Sequence, residues 1–194
     1  MIIGITGGTG CGKTTLLDMV KEMGGMVLDC DAIYHKLLKS DHSLLSAIEN
    51  RFPGTVENGN LNRKKLGSIV FGDKAALEDL NHITHSAVKA EVLRQLESKP
   101  TLAAIDAIGL FESGLNTLCH VTVAVTAPED VRIRRIMARD NISEDYARAR
   151  IAAQKDAEEY SRACDHTLHN DSTWEAFQHK CLAFFRETGI MKEK

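Results

Sequence analysis

The sequence predicts an α/β protein with a parallel sheet flanked by helices, and three observations carry that reading. Short apolar runs rich in β-branched and small residues recur at 2–6, 26–28, 101–105 and 120–126. Helical patterns lie between these runs, and strands alternating with helices pair in parallel. The first run leads directly into a glycine-rich segment, Gly7-Gly8-Thr9-Gly10-Cys11-Gly12-Lys13-Thr14.

The elements follow in order. Residues 2–6 read as a core strand, since the run is too short for a signal peptide and lacks a basic n-region. A helix is expected over 14–23, with Leu16, Leu17, Val20 and Met23 at helical spacing and Gly24-Gly25 closing it. Residues 26–28 form a second strand ending in Asp29-Cys30-Asp31, which completes a βαβ unit. The stretch 32–90 reads as largely helical with no clear strand, divided at Pro53-Gly54 and Asn58-Gly59-Asn60. A strand returns at 101–105 and ends in Asp106, and another spans 120–126. Pro128 then starts a helix at its first turn. Helices are expected over 129–140 and 144–162, the Asn141-Ile142-Ser143 break supplying the cap of the second. An edge strand near 166–168 precedes a final amphipathic helix carrying Trp174, Phe177, Leu182 and Phe185.

Composition narrows the class. A chain of 194 residues, 43% hydrophobic and 26% charged, supports one globular domain whose core needs neither disulfides nor a structural metal. A formal charge of -3 argues against general affinity for nucleic acid, which needs a basic surface. Cys11, Cys30, Cys119, Cys164 and Cys181 include no Cys-x-x-Cys pair, which fits a reducing, cytoplasmic setting. The eight histidines show no metal-binding spacing. No apolar run approaches the ~20 residues of a membrane helix, so no membrane partner is expected.

The glycine-rich segment carries the chemistry. Gly7-x-x-x-x-Gly12-Lys13-Thr14 matches the phosphate-binding loop at each fixed position, between a strand and a helix as the motif requires. Glycines let the backbone wrap an anion with its N–H groups, and the following helix turns its positive end to the same phosphates. Lys13 is placed to bridge β- and γ-phosphates, and the Thr14 hydroxyl to ligate Mg²⁺. Gly8, Thr9, Gly10, Cys11, Gly12, Lys13, Thr14 and Thr15 are therefore the expected contacts of a nucleoside triphosphate. Cys11 reads as a small filler within that loop.

In a doubly wound sheet, ligands bind at the carboxyl ends of the strands. Asp31 and Asp106, ending the second and third long strands, are expected at that edge. Asp106 is the candidate Mg²⁺ ligand, and Asp31 the candidate base accepting a proton from an attacking hydroxyl. Arg132, Arg134, Arg135 and Arg139 crowd one helix, with Arg148 and Arg150 on the next. A hairpin of such helices is expected to close as a lid whose arginines neutralise charge on the transferring group. Arg135 and Arg139, at i and i+4, share a face and are the choices for nucleotide contact and catalysis. His35, His82 and His85 are acceptor-side candidates because they lie in the helical insertion. The chain is thus expected to be a single domain over 1–194. Within it, 1–31, 101–128 and 163–194 form the nucleotide core, 32–100 the acceptor-binding insertion and 129–162 the lid.

The order of motifs resembles the dephospho-coenzyme A kinases. The matching segments are Thr6-Gly7-Gly8-Thr9-Gly10-Cys11-Gly12-Lys13-Thr14, Leu28-Asp29-Cys30-Asp31, Leu66-Gly67-Ser68-Ile69-Val70-Phe71 and Leu80-Asn81-His82-Ile83-Thr84-His85. Asp106 with Leu110-Phe111-Glu112, Arg139-Asp140-Asn141 and Arg150-Ile151-Ala152-Ala153-Gln154 complete the set, which spans nearly the whole chain. The resemblance implies a P-loop kinase fold with a helical acceptor subdomain and a helical lid. It implies ATP-dependent phosphorylation of the ribose 3′-hydroxyl of dephospho-coenzyme A, with ATP and Mg²⁺; a monomer or weak homo-oligomer is expected. Asp31 is then the catalytic aspartate, and Asp31, His82, Leu110 and Glu112 the substrate-side residues. The chain departs from the family's usual pattern at His35 (usually arginine), at Ser86 (commonly proline), at Ala107-Ile108-Gly109 (commonly containing proline) and at Tyr160 (commonly lysine).

Two other readings share the phosphate loop. Asp106-Ala107-Ile108-Gly109 matches the Asp-x-x-Gly of GTPase switches, but no Asn-Lys-x-Asp reads guanine. A kinase acting on a nucleoside monophosphate, gluconate or shikimate is the other, and intact Lys13, Thr14, Asp31 and Asp106 argue against a third, an inactive nucleotide-binding regulator. Adenine recognition is expected around Asn170, after the last strand.

Overall fold

The computed structural model describes residues 1–191. The chain divides into two compact units: Asp29–Lys99, and Met1–Leu28 together with the chain from Pro100 onward.

The larger unit is built on a sheet of β1 (Ile2–Thr6), β2 (Met26–Asp29), β5 (Ala103–Asp106), β6 (Val121–Thr126) and β7 (His166–His169), in the order β2-β5-β1-β6-β7. β1 pairs in parallel with both β5 and β6, and β6 with β7. The side chains of β6 are all buried, as suits a parallel strand covered on both faces. Helix α1 (Lys13–Glu22) and the last helix, α9 (Trp174–Glu187), close a core containing Ile3, Ile5, Leu16, Val20, Val123, Val125, Phe177 and Phe185. Each such large side chain, fully buried, contributes roughly 1.5–3 kcal/mol of transfer free energy. Trp174, at the first turn of α9, stays outside this core at 59% exposure. Helices α6 (Glu129–Asp140) and α7 (Glu144–Ala152) pack on each other through Ile133, Ile136, Ala147 and Ile151.

The unit Asp29–Lys99 contains α2 (Cys30–Ser40), α3 (His42–Arg51), α4 (Arg63–Val70) and α5 (Lys74–Leu96). Its own core gathers Leu38, Leu44, Leu45, Ile48, Phe52, Leu66 and Ala76. Asp29, Asp41, Asn62 and Asp73 cap these four helices, each accepting a backbone N–H from the first turn.

Four sequence expectations are corrected. The stretch 32–90 does contain strands: β3 (Val56–Glu57) and β4 (Asn60–Leu61) form an antiparallel hairpin. Its turn residues Asn58 and Gly59 both have positive φ, at 51° and 74°, the turn chemistry that twists a two-residue hairpin correctly. The helix expected over 144–162 is two helices, α7 and α8 (Ala157–Ala163). Asp156 and Glu159 form a reciprocal capping box that starts α8 afresh. Pro128 precedes α6 as its N-cap rather than opening its first turn. Finally, β2 ends at Asp29, so Asp31 lies in the first turn of α2 and not at a strand end. The Asp29 carboxylate accepts from Ala32 N at 2.9 Å, which turns the chain from strand to helix there.

Candidate active site

The phosphate loop joins β1 to α1. Gly12 is the N-cap of α1, at φ 92°, with no side-chain cap and no acidic residue in the first turn. Any Cβ there would stand 2.2 Å from Asn170 Nδ2 as well as adopting a strained φ, so only glycine fits. The first-turn N–H groups of α1 therefore face outward without a side-chain acceptor, the arrangement that receives an anion. Lys13 folds back over the loop and donates to Gly7 O at 2.9 Å. Its Nζ also lies 4.0 Å from Asp106 Oδ1. The β-sheet explains that proximity: the β1–β5 register pairs Ile5 with Asp106, so the carboxyl end of β5 stands beside the start of the loop. Thr14 is exposed and Thr15 half-buried on the same turn.

The loop is held from outside by four polar side chains distant in sequence. Arg132 Nε donates to Thr9 O at 2.9 Å, and Thr9 N donates to Gln154 Oε1 at 2.8 Å. Arg135 Nη1 donates to Gly10 O at 3.3 Å, and its Nη2 to Asn170 Oδ1 at 3.3 Å. Asn170, 4% exposed, donates through Nδ2 to Cys11 O at 2.9 Å. Its own backbone N–H is fixed on Thr126 O at 2.7 Å, at the end of β6. Among these, Arg132 enters the sequence reading only as one of the arginine cluster and Gln154 only as the end of a family segment, and neither is chosen there as a partner of the loop. That role is visible only in space, since 123 positions separate Arg132 from Thr9.

The other expected residues fall into distinct places. Arg139 is turned onto its neighbour Asp140, with Nε and Nη2 at 2.7 and 2.9 Å from the two carboxylate oxygens. Arg150 Nη1 reaches the same carboxylate at 2.5 Å. The two guanidinium groups, Arg139 first, hold the Asp140 carboxyl well below the usual range. Thus Arg135 and Arg139 share a helix but not a partner. Arg134 and Arg148 pair with Asp130, Glu144 and Glu129 on the solvent side. Glu112 pairs with Lys155 in the turn between α7 and α8. The Leu110 side chain is fully buried, and its carbonyl accepts from Leu115 N and Asn116 N. It therefore shapes the turn after β5 from within and presents no side chain to a ligand. Tyr160 is buried beside Glu112, and burial together with that negative charge pushes its hydroxyl up to about 12.

In the smaller unit, Asp31 is exposed, and its carboxylate makes no hydrogen bond or ion pair among the described residues. His82 is exposed on α5. His35 Nδ1 lies 3.1 Å from Arg63 Nη2, so a guanidinium stands beside that position although the residue itself is histidine.

The Mg²⁺ expectation fits the donors present. Thr14 offers a hydroxyl and Asp106 a carboxylate, the hard oxygen set that Mg²⁺ takes alongside substrate phosphates.

Comparison with known proteins completes the description. A family model described as dephospho-CoA kinase matches residues 1–176. The dephospho-CoA kinase of Geobacillus kaustophilus is 33% identical over 199 residues, covering 100% of this chain and 99% of that protein. The crystal structure of TT1252 from Thermus thermophilus superposes with a TM-score of 0.80 at 32% identity, over 96% of this chain and 97% of that one. The structure of dephospho-CoA kinase from Campylobacter jejuni gives a TM-score of 0.66 at 28% identity, covering 98% of each chain.

Proposed function

The chain belongs to the dephospho-CoA kinase family, and from that premise we propose that it transfers the γ-phosphoryl group of ATP to the ribose 3′-hydroxyl of dephospho-coenzyme A. The observation that carries the phosphotransferase half of this reading is the loop itself. An uncapped helix start, a lysine folded over the loop and a carboxylate 4.0 Å from that lysine stand together at one sheet edge.

In the proposed reaction, the acceptor 3′-oxygen bonds to the γ-phosphorus as the bond from that phosphorus to the β–γ bridging oxygen breaks, and ADP leaves. Asp31 takes the proton of the hydroxyl, a role open to a carboxylate not engaged in capping. The backbone N–H groups of the loop, apart from those of Thr9, Cys11 and Thr15, which are given to Gln154 Oε1, Gly8 O and Gly12 O, and the Lys13 ammonium hold the phosphates, neutralising charge that shifts toward the leaving oxygen. Mg²⁺ would be held by Thr14 and Asp106 and would offset phosphate charge as a Lewis acid. Arg139 is assigned to the transferring group once it exchanges Asp140 for phosphate oxygen, and Arg135 to the nucleotide beside Asn170. His82 and Glu112 remain the acceptor-side candidates. We place the enzyme in the cytoplasm, where its five free cysteines stay reduced.

The test is ADP release measured with ATP and Mg²⁺ against dephospho-coenzyme A, AMP, gluconate and shikimate. Turnover is expected with dephospho-coenzyme A alone. Equal rates with another acceptor, or turnover with GTP and no acceptor, would overturn the assignment.

A further inference from the structure

Arg132 is 6% exposed and sits on the inner face of α6 between the phosphate loop and Gln154. Its contacts form a closed ring. Nε donates to Thr9 O at 2.9 Å, Nη2 donates to Gln154 Oε1 at 3.2 Å, and the same amide oxygen accepts from Thr9 N at 2.8 Å. Both backbone groups of Thr9 are thereby fixed by two side chains from the α6–α7 hairpin and its exit turn. The guanidinium lies flush with the loop: a methyl group on Gly8 would meet Arg132 Nη2 at 2.3 Å and Cζ at 2.9 Å.

What this buried cation lacks is an acid. Its hydrogen-bond partners are a carbonyl and an amide, and among the described residues it enters no ion pair. Glu112, which shares Tyr160 as a neighbour with Arg132, is itself paired with Lys155. A guanidinium removed from water without a counter-ion is unfavourable. An anion in the cradle beside it would offset that cost.

We propose that Arg132 is a positioning residue of the phosphate site, for which the triphosphate bound in the loop is the counter-ion, with Gln154 fixing its orientation. It acts through the Thr9 peptide and through its field at the cradle rather than by entering the reaction. Filling the loop then stabilises the α6–α7 hairpin against it, because the cation on that hairpin gains its missing charge. The inference rests on the ATP half of the proposed function and not on the identity of the acceptor.

The full-length protein with Arg132→Met, Arg132→Lys and Gln154→Leu separates this from a packing role. Melting temperatures are measured with and without ATP–Mg²⁺, and KM is determined for each substrate. Arg132→Met removes the charge but keeps the bulk. It should leave the melting temperature of the unliganded protein unchanged or higher, shrink the ATP-induced rise, and raise KM for ATP by roughly tenfold or more. KM for dephospho-coenzyme A should not move. Arg132→Lys, which restores charge without the fork, should recover part of the ATP-induced rise, and Gln154→Leu should weaken ATP without touching the acceptor. A lower melting temperature for unliganded Arg132→Met, with an ATP-induced rise equal to that of the native protein, would make Arg132 a packing residue and overturn the proposal. If the native protein itself shows no ATP-induced rise, the ATP assignment fails first, and the two failures are distinguishable.

Discussion

Asp29 and Asp31 stand two positions apart with the same side chain, and local hydrogen bonding gives them different work. Asp29 Oδ1 accepts from Ala32 N and so satisfies a first-turn donor of α2, leaving that carboxylate committed to structure. Asp31 lies one step further on, exposed, with its oxygens open to a hydroxyl proton. Asp31→Asn is therefore expected to lower kcat by roughly 10²-fold or more, the usual scale for a general base, while the ATP dissociation constant stays within about twofold of the native value. Steady-state kinetics with an independent ATP titration checks this, and native turnover in Asp31→Asn removes the residue from its role. Residues of this kind were half legible. The pair Asp29-Cys30-Asp31 announced itself, but the strand end was drawn two residues late because a cap and a strand-terminal carboxylate look alike in sequence. The phosphate loop was fully legible because its parts are contiguous. Asn170, flagged by its place after the last strand, and Arg132 and Gln154 hold the same loop, yet nothing local distinguishes a buried arginine on α6 from the solvated Arg134 two positions on.

Helices were legible where apolar periodicity met a chain-breaking residue, as at α1 before Gly24 and α6 after Pro128, or ran long enough to stand alone, as at α9. The β3–β4 hairpin was missed because two residues per strand give no alternation to read. The split between α7 and α8 was missed because Asp156 and Glu159, which cap α8, also resemble the charged surface of one continuous helix. At this scale α5 carries a testable electrostatic feature. Glu91 receives Arg94 through both carboxylate oxygens at 2.7 Å and Gln95 Nε2 at 2.8 Å. The hydrogen bonds from Arg94, then Gln95, hold its carboxyl at about 2 against an ordinary 4.5. A carboxyl depressed in the folded state contributes stability that is complete above its unfolded pKa and is lost as pH falls toward the folded one. That contribution should therefore disappear between about pH 4.5 and pH 2. Chemical denaturation across this window is expected to show a steeper loss of stability in the native protein than in Glu91→Gln. Parallel pH profiles for the two would show that the Arg94 pair is screened at the surface and adds nothing.

At the scale of the whole molecule, the residues proposed for each ligand fall in different units of the chain. The phosphate loop, Asp106, the α6–α7 hairpin and Asn170 belong to the larger unit; Asp31, His35, Arg63 and His82 belong to Asp29–Lys99. Each unit has a separate buried core, so ligand stabilisation should be traceable to the unit that binds. A ligand that binds only the native state, supplied at about a hundred times its dissociation constant, stabilises by about 2.7 kcal/mol. For a chain of this size that corresponds to a rise of roughly 5–10 °C in melting temperature. Hydrogen exchange read segment by segment then locates it. ATP–Mg²⁺ alone should slow exchange in residues 7–15 and along α6, where Arg132 and Arg135 hold the loop. Dephospho-coenzyme A alone should slow it in the first turns of α2 and α4, around Asp31, His35 and Arg63. Protection by dephospho-coenzyme A confined to the loop, with α2 and α4 unchanged, would show that the acceptor is held by the larger unit. Asp31 would then lose its place beside the substrate, while the loop would keep its assignment as the triphosphate site.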